Sequence, residues 1–213
     1  MICPQCSSDR WRDFAQDRER SYQLCEDCHL VFVPRSLLIT QADERTRYEN
    51  HNNDPADPRY EAYLSQTADL ITPHLFQGSV GLDFGSGSST LLGELMQKRG
   101  YPCDSFDLYF HPDQALLRRS YDFVILSEVI EHLRDPKVEL ERLRALLNAQ
   151  GSFFIKTSLY PAQGELFDRW YYKRDPTHVQ FYDLKTFAKL AGMLGMSGPV
   201  ILAPNFFQLK ALD

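Results

Sequence analysis

At 213 residues the chain is long enough for one substantial core and a small appendage, and too short for two full domains. Hydrophobic residues make up 43% and charged residues 24%, which is ordinary for a folded protein, and no apolar run approaches the ~20 residues that cross a bilayer. The net charge of -6 opposes broad attraction to nucleic acid or anionic lipid, and an N-terminus without a basic and then apolar leader points to a cytoplasmic protein.

Residues 1–35 read as a small metal-folded unit. CPQC and CEDC supply Cys3, Cys6, Cys25 and Cys28, the paired-knuckle spacing of a zinc ribbon. Zinc favours four thiolates in a tetrahedron, each CxxC turn presents two sulfurs, and the segment between the pairs suits a hairpin that lets them meet. So short a segment buries too little surface to order itself, which makes the zinc structural. His29 is a spare ligand beside the last cysteine. With five Arg against six Asp or Glu in residues 1–35, RNA binding is disfavoured. The ribbon is then either a clamp on the rest of the chain or a recognition element.

Residues 36–79 read as a helical linker or lid, with two helices between Gln41 and Thr72 broken at DPADP, where proline stops a helix. Tyr48, His51 and Tyr60 are placed to close one side of a pocket. The main domain, residues 80–213, begins with a strand, Val80 to Phe84, a glycine turn at Gly85 and Gly87, and an amphipathic helix bearing Leu91, Leu92 and Leu95. A second strand, PCDSFDLYF, ends at Asp107, and Cys103 within it reads as a small buried residue. A third strand spans Phe123 to Leu126, followed by a helix with Val138, Leu140, Leu143 and Leu147 on its apolar side, and GSFFIKTSL forms a fourth strand after a glycine stop. A helix, Leu184 to Leu194, precedes strands Val200 to Leu202 and Phe206 to Leu209. Alternating strands and helices imply a parallel, doubly wound sheet with ligands at the carboxyl ends of its strands.

LDFGSG, the acidic end of the second strand, YDFVILSEVIEHL, LLNAQGSFFIKT and DPTHVQFYDLKTFAKLAG together resemble the class I S-adenosylmethionine-dependent methyltransferases over residues 80–213. The resemblance implies a Rossmann-like α/β fold with S-adenosylmethionine as cofactor. Asp83, Gly85 and Gly87 would line its methionine end, Asp107 would hold its ribose, and Ser127 would join the cofactor residues. Only Leu108 to Ser120 separate the second and third strands, where the family usually fits a helix, a strand and another helix. The expectation is a sheet shortened by one strand, with adenine held by Leu108 and Tyr109.

The stretch SEVIEHL puts Glu128, Glu131 and His132 at i, i+3 and i+4, on one face if the chain turns helically there. Three readings stand. In the first, Ser127 caps the turn, Glu131 favours the helix dipole and His132 satisfies a loop carbonyl. The second rests on similarity to enzymes that methylate the terminal ribose of small RNAs and to O-methyltransferases of ubiquinone biosynthesis, whose E-x-x-E-H cluster binds a divalent ion. Glu128, Glu131 and His132 would then ligate a second metal with His178 as fourth ligand, a donor set suited to manganese, iron or zinc more than magnesium. In the third, His132 is a general base.

The aromatic segment of residues 167–182, with Trp170, Tyr171, Tyr172 and His178, reads as a loop covering the substrate. The functional expectation is methyl transfer, O-methylation favoured, to an acceptor that the sequence does not identify. The competing reading is a binding module in which the ribbon acts and the methyltransferase-like domain is not catalytic.

Overall fold

The computed structural model describes residues 1–50 and 54–212, so His51 lies outside the described residues. The N-terminal hairpin pairs β1 (Trp11–Gln16) with β2 (Ser21–Cys25), and β3 (Val31–Phe32) extends it. Then come α1 (Gln41–Glu49) and α2 (Pro58–Ile71). Asp57 caps α2 by accepting the Arg59 N–H at 2.9 Å, and Pro58 at the first helical position lacks only a donor with no partner there.

The main sheet is assembled from β4 (Gly81–Phe84), α3 (Leu91–Lys98), β5 (Cys103–Phe106), β6 (Tyr121–Ser127), α4 (Pro136–Leu146) and β7 (Leu147–Lys156). The chain then runs through α5 (Gly164–Arg169), β8 (Gln180–Phe181), α6 (Leu184–Met193), β9 (Met196–Ala203) and β10 (Phe206–Ala211). Its order is β5-β4-β6-β7-β10-β9, with β4, β5, β6 and β7 parallel and β10 antiparallel to both its neighbours. This is the six-stranded, shortened sheet expected. Between β5 and β6 the described chain makes only an isolated bridge, Asp107 to His111, and a short 3-10 turn.

Phe123, Val124, Ile125 and Leu126 of β6 are fully buried, as a central strand covered on both faces requires. Below one face lie Leu140, Leu143 and Leu146 of α4, and on the other Leu91, Leu92 and Leu95 of α3 pack with Leu64 and Ile71 of α2. The helix expected to bury Val138 and Leu147 is phased differently. Val138 is 61% exposed and Leu147 opens β7, because burial at 140, 143 and 146 leaves position 138 about 200° round the helix from Leu140.

β8 does not join the main sheet. It pairs antiparallel with β3, Val31 opposite Phe181 and Phe32 opposite Gln180, so the N-terminal sheet has the order β1-β2-β3-β8. Among the described residues no helix is long and apolar enough to cross a membrane.

Candidate active site

The glycine turn after β4 is built around backbone that only glycine adopts readily. Gly85 and Gly87 have φ of 77° and 68°, and a Cβ on Gly85 would lie 2.6 Å from Val129 Cγ2. The Asp107 carboxylate ties this turn to the next loop, accepting N–H bonds from Gly87 at 2.9 Å, Tyr109 at 2.8 Å and Phe110 at 3.1 Å. Asp83, 3% exposed, is pushed up to about 7 by burial and then by the charge of Asp107. Asp83, Gly85, Gly87, Asp107, Leu108 and Ser127 all line one cavity of about 630 Å³, at the carboxyl ends of the strands. That volume suits a nucleoside-sized ligand.

At the far side of the cavity, Glu128 turns the chain with φ 55°, a left-handed conformation that costs a non-glycine residue ~1–3 kcal/mol and clusters at functional sites. A single 3-10 turn, Ile130–His132, follows, and no side chain caps it. The capping role expected of Ser127 is therefore overturned. So is the dipole role of Glu131, which is fully buried and turned onto Tyr172. Its Oε1 meets the Tyr172 hydroxyl, which also lies 2.8 Å from Glu128 Oε2 and 3.1 Å from Thr157 Oγ1. Burial, then the charge of Glu128, pushes the Glu131 carboxyl well above the usual carboxylate range. Its Oε2 is buried with no hydrogen-bond partner among the described residues.

The histidines converge on this carboxylate. Ligand atoms of Glu131, His132 and His178 all lie within 4.8 Å of one another, whereas Glu128 stands outside that set and shares only the Tyr172 hydroxyl. The expected four-ligand cluster is thus three side chains with Glu128 beside them. His132 Nδ1 is 3.1 Å from the Thr177 carbonyl and His178 Nδ1 is 2.7 Å from the Tyr172 carbonyl. A carbonyl only accepts, so each Nδ1 carries a proton, and Nε2 is the nitrogen through which either ring would ligate a metal. An orphaned carboxylate oxygen with two Nδ1-anchored imidazoles is a donor set that fits a divalent transition metal.

The second cluster is in the ribbon. Cys3 and Cys28 Sγ are 3.5 Å apart, as are those of Cys6 and Cys25, and all four sulfurs lie within 4.8 Å of one another. A tetrahedron with ~2.3 Å zinc–sulfur bonds has edges of about 3.8 Å, so the four thiols fit zinc without His29. The His29 carbonyl instead accepts the Tyr160 hydroxyl at 2.9 Å.

The aromatic segment does more packing than covering. Phe167 is fully buried among Tyr22, Phe181 and Phe14, and Trp170 and Tyr172 join that cluster against the N-terminal sheet, while His178 alone of the named four lines the cavity. The cover comes from α1. The Tyr48 ring stands 5.4 Å from His132 and 5.9 Å from Tyr109, bridging the two ends of the cavity, and Tyr60 and Tyr63 of α2 line it too. Glu44 holds α1 to Arg134 at 2.7 Å and Arg47 reaches Asp175 at 3.0 Å. The sequence singled out neither Glu44 nor Arg134. The signal available was Glu44 as an acidic residue one turn before Tyr48.

Comparison with known proteins gives the family and the fold. The family described as "Methyltransferase domain" matches residues 47–196. A Burkholderia thailandensis 1,6-didemethyltoxoflavin-N1-methyltransferase structure, with S-adenosylhomocysteine bound, superposes with a TM-score of 0.59 at 15% identity, covering 95% of this chain and 100% of that one. An O-methyltransferase family protein of the same organism gives 0.51 at 12% identity, covering 79% and 62%. A SAM-dependent methyltransferase from Archaeoglobus fulgidus gives 0.50 at 19%, covering 64% and 69%. At such identities these likenesses show the fold. No curated protein matches the sequence.

Proposed function

Because the chain belongs to the class I S-adenosylmethionine-dependent methyltransferases, we propose that it transfers a methyl group from S-adenosylmethionine to an oxygen of its acceptor. The convergence of Glu131, His132 and His178 beside the glycine-turn cavity carries the reading. Asp83, Gly85 and Gly87 take the methionine end of the cofactor, Asp107 the ribose, Leu108 and Tyr109 the adenine, and Ser127 the edge nearest the reacting centre. The acceptor oxygen would attack the methyl carbon in line as the carbon–sulfur bond breaks and S-adenosylhomocysteine leaves, and the acceptor's proton would pass to solvent when a metal ion lowers its pKa, or to His132 when none is bound. In-line positioning supplies much of the rate, so the burial of this cavity under Tyr48 matters as much as any base.

Glu131, His132 and His178 would hold a divalent transition ion, which when bound orients an acceptor hydroxyl and lowers its pKa. Zinc in the four-cysteine cluster is structural. Calorimetry on zinc-loaded protein tests both parts. S-adenosylhomocysteine should bind, and no binding at millimolar concentration leaves only a non-catalytic binding module. Mn²⁺ should bind once per chain and fail to bind His178→Ala. S-adenosylhomocysteine binding without Mn²⁺ binding leaves His132 as a base, oriented by the Thr177 carbonyl.

A further inference from the structure

The hairpin tip of the ribbon reaches the loop that carries half of the acceptor-side cluster. Arg20, 8% exposed, lies at that tip, with its guanidinium carbon 5.5 Å over the Tyr22 ring. Its Nη1 donates to the carbonyls of Pro176 at 3.3 Å and His178 at 3.1 Å, and its Nη2 donates to the carbonyl of Lys173. Beside it Lys173 Nζ donates to Asp17 Oδ2 at 2.8 Å, and the Tyr22 hydroxyl donates to the same oxygen at 2.7 Å.

We propose that Arg20 is a positioning residue of the active site: its fork of donors shapes residues 173–178 so that the Tyr172 hydroxyl and the His178 ring meet Glu131 and His132. The inference rests on reading those side chains as the acceptor-side cluster. All three carbonyls that Arg20 gathers belong to one six-residue segment, and buried carbonyls of this kind need a donor. The Tyr172 carbonyl that fixes the His178 Nδ1 proton immediately precedes Lys173, so the bend held by Arg20 also decides which way the His178 ring faces. Adhesion of ribbon to main domain does not require Arg20, since the β3–β8 pairing, the Tyr160 to His29 bond and the aromatic cluster already provide it. A lysine supplies the charge from a single point and cannot span three carbonyls as a planar fork does.

Amide hydrogen exchange and Mn²⁺ binding on the full, zinc-loaded chain test this. In Arg20→Ala the amides of Thr177, His178 and Val179, bonded now to Asp175 and Glu131, should exchange about tenfold faster or more. Mn²⁺ should bind about 10–100-fold more weakly, the usual effect of losing an outer partner of a metal ligand. Zinc content and S-adenosylhomocysteine affinity should stay at the wild-type level, and Arg20→Lys should recover part of both losses. Unchanged exchange at those amides, or acceleration spread evenly over β4, β6 and the ribbon, overturns the proposal. If Arg20→Ala does not fold, Arg20→Lys carries the same measurements. If wild-type protein binds S-adenosylhomocysteine but not Mn²⁺, the metal reading fails alone and the exchange pattern decides on Arg20.

Discussion

Asp83 is a carboxyl held where its charge is costly. With its folded pKa raised to about 7, well above that of the unfolded chain, it keeps its proton over a range in which an unfolded aspartate has lost it. It therefore lowers stability as pH rises from about 4 to about 7, and its effect is level above that. The ammonium of a ligand's amino-acid end, placed beside Asp83 as proposed, would favour the ionised form. S-adenosylhomocysteine affinity should then climb between pH 6 and 8 and flatten above, and in Asp83→Asn it should be weak and flat. Calorimetry across that range checks both, and a wild-type affinity independent of pH would remove Asp83 from the cofactor contact. Glu131 meets the Tyr172 hydroxyl, which helps to hold it in its unusual place. No feature of the words SEVIEHL or RWYYKR indicated that these two would meet.

At the scale of elements, α1 is an unusual cover. Of its nine residues, QADERTRYE, only Glu44 is buried, so little hydrophobic burial holds it. Its hold is polar: Arg134 on Glu44 and on the Ile39 carbonyl, and Arg47 on Asp175. Charge-assisted hydrogen bonds of this kind contribute ~1.5–3 kcal/mol, so Arg134→Ala should weaken S-adenosylhomocysteine binding about tenfold and speed tryptic cleavage within α1. Unaltered affinity would show that α1 does not close the cofactor site. The elements themselves were mostly legible. The apolar run FVIL, the glycine turn and the CxxC pairs each follow from local chemistry, and the parallel order follows from their alternation. α4 was misphased because its first turn, PKV, contains an apolar residue that faces solvent. β8 was not legible at all, since a strand of two residues has no periodicity, and its partner lies in another part of the chain. The glycine-turn side of the candidate site was readable because one β-α turn carries it. The convergence of Glu131, His132 and His178 was readable only as residue types, because loop 173–178 is shaped by contacts distant in sequence.

The whole molecule is built around a shared core. Cys3, Cys25 and Cys28 belong to the same buried cluster as Leu82, Val124 and Ile155 of the main sheet. With zinc in the four-cysteine cluster as proposed, Cys25→Ser should abolish zinc binding and lower the unfolding temperature of the entire chain in one transition, as metal analysis and calorimetry can show. A main domain that melts at the wild-type temperature would mean that the ribbon is independent. The β3–β8 pairing also sets an order of events during synthesis. Val31 meets Phe181, and 181 − 31 leaves 150 residues to be translated before the ribbon's last strand exists. At ~5–20 residues per second that is about 8–30 s, during which β3 presents an open, apolar edge. Ribosome-bound chains halted before β8 should accordingly be cut by protease at Val31 to Val33, and chains released past it should resist. The outer edge of the ribbon, made 150 residues before its partner strand, is thus closed only once β8 has emerged.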